Sequence, residues 1–240
     1  MRNLFVALLA LMLVGTSCSE FQKVMKSDDY ELKYKKAKEY YKAGEYSHAL
    51  ELLEDIRPIY RGTQHAPRID YLIAEAYFEQ EQYILAGYHY SNLAETFPNS
   101  SYRQGAVYKS AYCNYLESPR YSLDQSSTKK AIETFKMYVR KYPNSDKVDK
   151  CNQYIDELRE KLAKKSYMSA KFYLELGDYK AATVALENAM QDFPASSYRE
   201  DLLFYMLKAN FLLAENSVKS KQKERYEKTV KTYYSFIDEY

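Results

Sequence analysis

Tryptophan is absent from this 240-residue chain, and glycine and proline occur only six times each. Gly and Pro together are 12 of 240 residues, or 5 per cent, against roughly 12 per cent in average proteins, which disfavours sheet-rich, turn-dense folds. Gly15, Gly44, Gly62, Gly87, Gly105 and Gly177 are scattered singly. Phosphate-cradling loops need closely spaced glycines, so nucleotide-binding folds of that kind are excluded. An excess of one charge is missing too: 35 basic against 33 acidic side chains leave a net +2 and no general attraction for nucleic acid. The three histidines, His48, His65 and His89, lie in no recognised catalytic or metal spacing with Cys, Ser or carboxylates. No catalytic constellation emerges, and no metal, cofactor or enzymatic activity is expected. The acidic residues alternate with Lys and Arg as on solvated helix faces.

The one long apolar run, Leu4 to Val14, has eleven residues, well short of the roughly 20 that span a bilayer as a helix. It follows Arg2 and Asn3 and precedes Gly15, Thr16, Ser17 and Cys18, the layout of a secretory signal. A cysteine directly after small residues at that place resembles a bacterial lipoprotein signal, in which it becomes the acylated first residue. Residues 1–17 are then the signal peptide, Cys18 the lipidation site and 18–28 a lipid-anchored tether. An ordinary signal peptide cut near Ser17, leaving a free thiol, is the alternative. Several acyl chains on one residue hold a protein durably where one binds only marginally. No aspartate adjoins Cys18, which in lipoproteins resembling those of enterobacteria favours the outer membrane. The expected location is therefore the outer membrane of a Gram-negative bacterium, lipid-anchored and facing the periplasm. Cys113 and Cys151 fall on apolar helical faces and read as buried inert thiols or as one disulfide.

A repeat emerges from the alanines. Ala37 and Ala49, Ala74 and Ala86, and Ala170 and Ala182 each stand twelve apart. Four residues beyond the second alanine, or beyond Ala131, comes a bulky side chain: Leu53, Tyr90, Phe135 or Leu186. Twelve beyond Ala86, Ala131 and Ala182 stand Pro98, Pro143 and Pro194, each after Phe or Tyr and followed within two residues by Ser. Each proline is expected to end a helix and each serine to cap the next. Paired antiparallel helices with small residues at the crossings form the tetratricopeptide (TPR) pattern. Tyrosine, present 28 times, takes the large-residue role that tryptophan usually holds. The fold class is thus all-α, a TPR-like right-handed superhelical solenoid of about five helix pairs.

The proline spacings, 45 and then 51 residues, exceed the 34 of a minimal repeat, so sequence is inserted between pairs. One insertion, from Glu117 to Thr128, reads as a polar surface loop. The other, from Asp146 to Ser166, repeats Val148, Cys151, Ile155, Leu158 and Leu162 at helical spacing and reads as an added amphipathic helix. A fifth unit starts at Ser197-Tyr198-Arg199, and its second helix holds Thr229 and Tyr233. The twelve-residue rule puts its proline at 241, past Tyr240, so the chain reads as stopping short of that repeat's end.

The inserted segments are more specific than the plain repeat. Leu158-Arg159-Glu160-Lys161-Leu162-Ala163, leading into Tyr167-x-x-Ala170-x-x-Tyr173 and Gly177-Asp178-Tyr179-x-Ala181-Ala182, resembles the central signature of the BamD family. These are TPR lipoproteins of the outer-membrane β-barrel assembly (Bam) machinery. Asp124-Gln125 with Thr128, Ala131-x-x-x-Phe135 and Tyr142-Pro143-x-Ser145 is similar to that family's third repeat. The resemblance implies a non-enzymatic scaffold that binds a BamA-like β-barrel insertase and unfolded outer-membrane protein clients. Residues 29–145 would then be the client side and 146–240 the docking side.

Two surfaces follow. On the first helix Tyr34 and Tyr41 lie seven apart beside Lys38, on a flank that TPR geometry turns toward the concave surface, and Arg68, Tyr71 and Phe78 match them on the second repeat. These rings suit an aromatic-ended client C-terminus, with Lys38 or Arg68 pairing its carboxylate; packing between helices is the competing role. Lys221, Lys223 and Arg225 head a basic stretch that is either a solvated loop or a docking surface for an acidic partner. A TPR-like surface lipoprotein binding a glycan, or a TPR pilotin or cell-division scaffold, are the alternative functions. The chain's length and its lack of Trp argue against the glycan receptor.

Overall fold

The computed structural model describes residues 20–240, and all regular structure among them is helical. A short α1 over 20–25 precedes α2 (Tyr30–Lys42), α3 (Tyr46–Ile56), α4 (Ala66–Glu79), α5 (Tyr83–Thr96), α6 (Arg103–Leu116), α7 (Ser126–Lys141), α8 (Val148–Glu175), α9 (Tyr179–Asp192), α10 (Arg199–Glu215) and α11 (Lys219–Glu239). The chain divides into two compact units between Glu117 and Ser118, ahead of the functional boundary expected at 145/146. In the first unit α2 packs on α3, α3 on α4, α4 on α5 and α5 on α6; in the second, α7 to α11 pack in the same successive order. The fold is all-α and TPR-like.

The alanines explain the pairing. Ala37, Ala49, Ala74, Ala86, Ala131, Ala170 and Ala182 are fully buried, as are Leu53, Tyr90, Phe135 and Leu186 four residues after their alanines. A methyl group at the crossing lets two helices approach, and the large side chain one turn later fills the space beside it. Tight turns then reverse the chain. Gly44 and Gly177 adopt φ of +80° and +79° between the helices of their pairs; in the second pair Glu81 takes φ +59° at the matching place. Asp29 and Asp178 cap α2 and α9 by accepting from the backbone N–H of Leu32 and Ala181.

Helices α5, α7 and α9 end two residues before Pro98, Pro143 and Pro194, as their missing N–H groups and fixed φ require. The serines behave less uniformly than the repeat suggests. Ser100 and Ser145 accept from the N–H of Tyr102 and Lys147, just ahead of the next helix. Ser196 is buried with its hydroxyl unpartnered, while Ser197 donates to Glu160.

The added helix expected over 146–166 is not a separate element. It runs straight into the first helix of the fourth pair as the 28-residue α8. No Gly or Pro interrupts Leu158 to Glu175, so nothing stops the helix between its two amphipathic stretches. The loop before α7 is pinned rather than loose. Gln125, buried, donates to the carbonyls of Arg120 and Leu123 and accepts from Thr128, while Lys161 of α8 donates to the carbonyl and hydroxyl of Ser118. Gln125 and Thr128, two of the residues that carry the family resemblance, therefore hold the loop in shape. Cys113 and Cys151 are free and buried, and burial pushes their thiols up to about 12 and about 11.

Candidate functional site

In the first unit α2 contributes Tyr34, Lys38 and Tyr41, and α4 contributes Arg68, Tyr71 and Phe78. They form two adjoining groups. Around Tyr34, which is buried with its hydroxyl unpartnered, the Lys38 ammonium lies 4.3 Å from the ring centroid. The rings of Tyr60 and His65 stand 5.9 Å away. Burial raises the Tyr34 phenol above its usual pKa, and the charge of nearby Arg68 works against that rise. Neither Lys38 nor Arg68 has a carboxylate partner among the described residues.

The second group is built on a residue that no local pattern singled out. Glu75, buried on α4, receives the Lys109 ammonium of α6 at 2.5 and 2.6 Å and the Tyr90 hydroxyl of α5 at 2.5 Å. Tyr41 and Tyr71 also meet this carboxylate. Burial first, then the Glu75 charge and hydrogen bonding to it, push both phenols well above their usual range, so they stay neutral donors. Tyr71 packs 4.9 Å from Tyr102 and 5.9 Å from Tyr90. Phe78 lies 5.4 Å from Tyr83, 6.1 Å from Tyr112 and 5.1 Å from the Lys109 ammonium. The signal for Glu75 was its setting in Ile73-Ala74-Glu75-Ala76, a charge on an otherwise buried face. Chemically this is an aromatic surface braced by an internal ion pair, adjoined by Lys38 and Arg68, two cations without carboxylate partners among the described residues.

In the second unit the three basic docking candidates have different surroundings. Lys221 pairs with Glu224 at 3.3 Å, and the Arg225 guanidinium turns back to donate to the Ser217 hydroxyl. Lys223 lies with Tyr226, Glu227, Val230, Lys231 and Tyr234 along an open cleft of about 590 Å³. Tyr226, Val230, Tyr233, Tyr234 and Ile237 are exposed and recur at three- and four-residue spacing, so α11 carries an apolar stripe beside its charges. The other edge of α11 is tied down by Glu239, which accepts two hydrogen bonds from Arg199 of α10.

Cys18 and residues 1–17 lie outside the described residues. No helix among the described residues is long and apolar enough to cross a membrane, and no group of three His, Cys, Asp or Glu among them is arranged to hold a metal.

Known proteins are similar to this chain to different degrees. Solved structures matched by the chain include the MamA RS-1 ArsTM double mutant, 14% identical, covering 87% of this chain and 97% of its own, with a TM-score of 0.38. A Podosopora anserina chain of nearly identical TPR-like repeats is 14% identical, covering 83% of this chain and 92% of its own, with a TM-score of 0.36. An outer membrane protein assembly factor BamD of Caulobacter vibrioides is 21% identical over 173 residues, which is 72% of this chain and 57% of that protein. The chain thus spans little more than half the length of that relative. The profile of the YfiO outer membrane lipoproteins matches residues 26–225. That match takes in the first candidate surface whole and reaches Lys221, Lys223 and Arg225 of the second, ending before the rest of the α11 cleft, and on it the chain belongs to the YfiO family of outer membrane lipoproteins.

Proposed function

We propose that the chain is a non-enzymatic, lipid-anchored scaffold of outer-membrane β-barrel assembly. It holds unfolded outer-membrane protein clients on its first two helix pairs and a BamA-like insertase on its last. The observation that carries this reading is the family match across residues 26–225, joined by a relative named as an outer membrane protein assembly factor. The geometry supports the client half. An aromatic-ended strand terminus needs rings to pack on and a cation for its carboxylate; Tyr41, Tyr71 and Phe78 supply the rings, and Lys38 and Arg68 are the cations without carboxylate partners. A charge-assisted contact of that kind contributes roughly 1.5–3 kcal/mol.

The insertase half rests on α11, where Lys223 and Lys231 flank an exposed apolar cleft. Such a surface suits a partner whose apolar contact is rimmed by acidic side chains. Cys18, as the acylated residue, fixes the chain to the periplasmic face of the outer membrane. A photo-crosslinker at position 41 or 71 is expected to capture a porin-tail peptide, in competition with unlabelled tail. Crosslinks only from the opposite face of α4 and α5 would overturn the groove. Lys221→Glu with Lys223→Glu is expected to weaken co-purification of the insertase at low salt, and deleting the gene is expected to lower porins generally. A normal porin content in the deletion strain would remove the assembly role altogether.

A further inference from the structure

Helix α1 carries the chain into the first core. Phe21, only 3% exposed, stacks on His48 with ring centroids 4.2 Å apart and meets Tyr40 edge-on at 5.8 Å. Val24 is buried in the cluster that holds Leu50, Leu53 and Ile56, and Met25 packs against it. Glu20 adds an ion pair to Lys36 at 2.8 Å. A six-residue helix is thereby fastened to both α2 and α3.

Cys18 precedes Phe21 by three residues. Extended chain advances at most about 3.6 Å per residue, so an acylated Cys18 stands no more than about 11 Å from the Phe21 backbone. The headgroup layer on each side of a bilayer is only about 5–8 Å thick. On so short a link the first helix pair has to lie against the lipid headgroups.

We infer that α1 is a rigid membrane mount, which by packing on α2 and α3 holds the first helix pair against the surface of the bilayer that carries the Cys18 acyl chains and its aromatic groove at a fixed height above that surface. This rests on the acylation of Cys18 proposed above. Tyr40, which touches Phe21, and Tyr41, which faces Glu75, are neighbours on α2. A helix is about 10–12 Å across, so the groove stands on the order of 20 Å from the headgroups. The exposed Lys23 of α1 and Lys26 just after it are the described cations closest in sequence to the anchor and favour anionic headgroups. A groove at fixed height keeps a bound client strand beside the membrane it has to enter.

The test uses the full acylated chain carrying Lys42→Cys, labelled with a fluorophore and reconstituted in phosphatidylcholine–phosphatidylglycerol vesicles that contain headgroup-quencher lipid. Lys42 is exposed at the end of α2, and the buried native thiols stay unlabelled. The parent is compared with a variant carrying a flexible Gly-Ser spacer of about 12 residues after Cys18, and with Phe21→Ala. The spacer adds about 20 Å of reach while leaving α1 packed, so quenching is expected to fall roughly twofold or more from that of the parent. Phe21→Ala is expected to lower the anisotropy of the bound dye. Equal quenching in parent and spacer variant overturns the mount. Vesicle flotation and mass spectrometry of the N-terminal peptide read acylation separately. A chain that neither floats nor carries lipid removes the anchor and the mount together, whereas a floating, lipidated chain with an unquenched dye overturns the mount alone.

Discussion

Replacing Lys109 by methionine tests whether the groove depends on its internal ion pair. Glu75 on α4, Tyr90 on α5 and Lys109 on α6 join three successive helices through one carboxylate, and the side chains of Glu75 and Lys109 are only 11% and 26% exposed. Removing one partner of a buried pair costs about 3–5 kcal/mol, because the other charge is left without compensation. Here the Tyr90 hydroxyl still donates to Glu75 and the lysine site is partly hydrated, so about 2–3 kcal/mol is expected. At about 2–4 °C per kcal/mol for a chain of this size, Tm falls by roughly 4–12 °C. Adding Glu75→Gln removes the orphaned charge and keeps an acceptor for Tyr90, so the double variant is expected within about 1 kcal/mol of the parent. Urea titrations followed by far-ultraviolet circular dichroism and by tyrosine emission, unobscured because the chain has no Trp, measure all four corners of the cycle. A loss below about 0.5 kcal/mol in Lys109→Met, or a double variant as unstable as the sum of the singles, would show that the pair is not coupled.

Ala182→Leu is expected to overpack the α8–α9 crossing, where Ala170, Ala182 and Leu186 are fully buried, and to cost about 1–3 kcal/mol in a thermal melt; an unchanged melt would remove Ala182 from the crossing. Glu81→Gly relieves the left-handed backbone at φ +59° and, after the greater chain entropy of glycine, is expected to gain about 0.5–1 kcal/mol, while Gly177→Ala should lose about 1 kcal/mol. His89 stacks on Tyr77 at 5.0 Å; burial, then the charge of Arg57, lowers its pKa against smaller opposing effects of Glu54 and Asp70. The unfolded chain therefore takes up this proton first. The His89 contribution is intact above about pH 6.5 and is lost as pH falls from there through the folded pKa. His89→Gln is expected to flatten stability against pH between about 7 and 5, and an identical acid slope in parent and variant would contradict the assignment.

Much of the helix-pair architecture was legible because it is written in local spacing. Ala37/Ala49, Ala74/Ala86 and Ala170/Ala182 mark crossings, and Pro98, Pro143 and Pro194 mark helix ends, since a methyl group at a contact and a missing N–H act wherever they occur. The start of α8 reads as a separate helix in the sequence but is continuous with the fourth pair's first helix, because two amphipathic stretches without a breaker between them show the same pattern whether joined or apart.

What only the tertiary structure decided involves residues far apart in the chain. Lys109 and Glu75 are 34 residues apart, and neither carries a local sign that the other will neutralise it. The fates of Lys221, Lys223 and Arg225 diverged because a helix turns 100° per residue and its neighbours settle which side chain meets a partner: Arg225 found Ser217, whereas Lys223 stayed beside an open cleft. The docking of Phe21 and Val24 likewise depended on the pocket that α2 and α3 create once paired. Sequence by itself determined the repeat, its crossings and its family, because those follow from local periodicity and steric rules. Charge pairing, the bracing of the groove and the attachment of α1 were left to tertiary packing, since burial changes the free energy of a charge or a ring only after distant helices have closed around it.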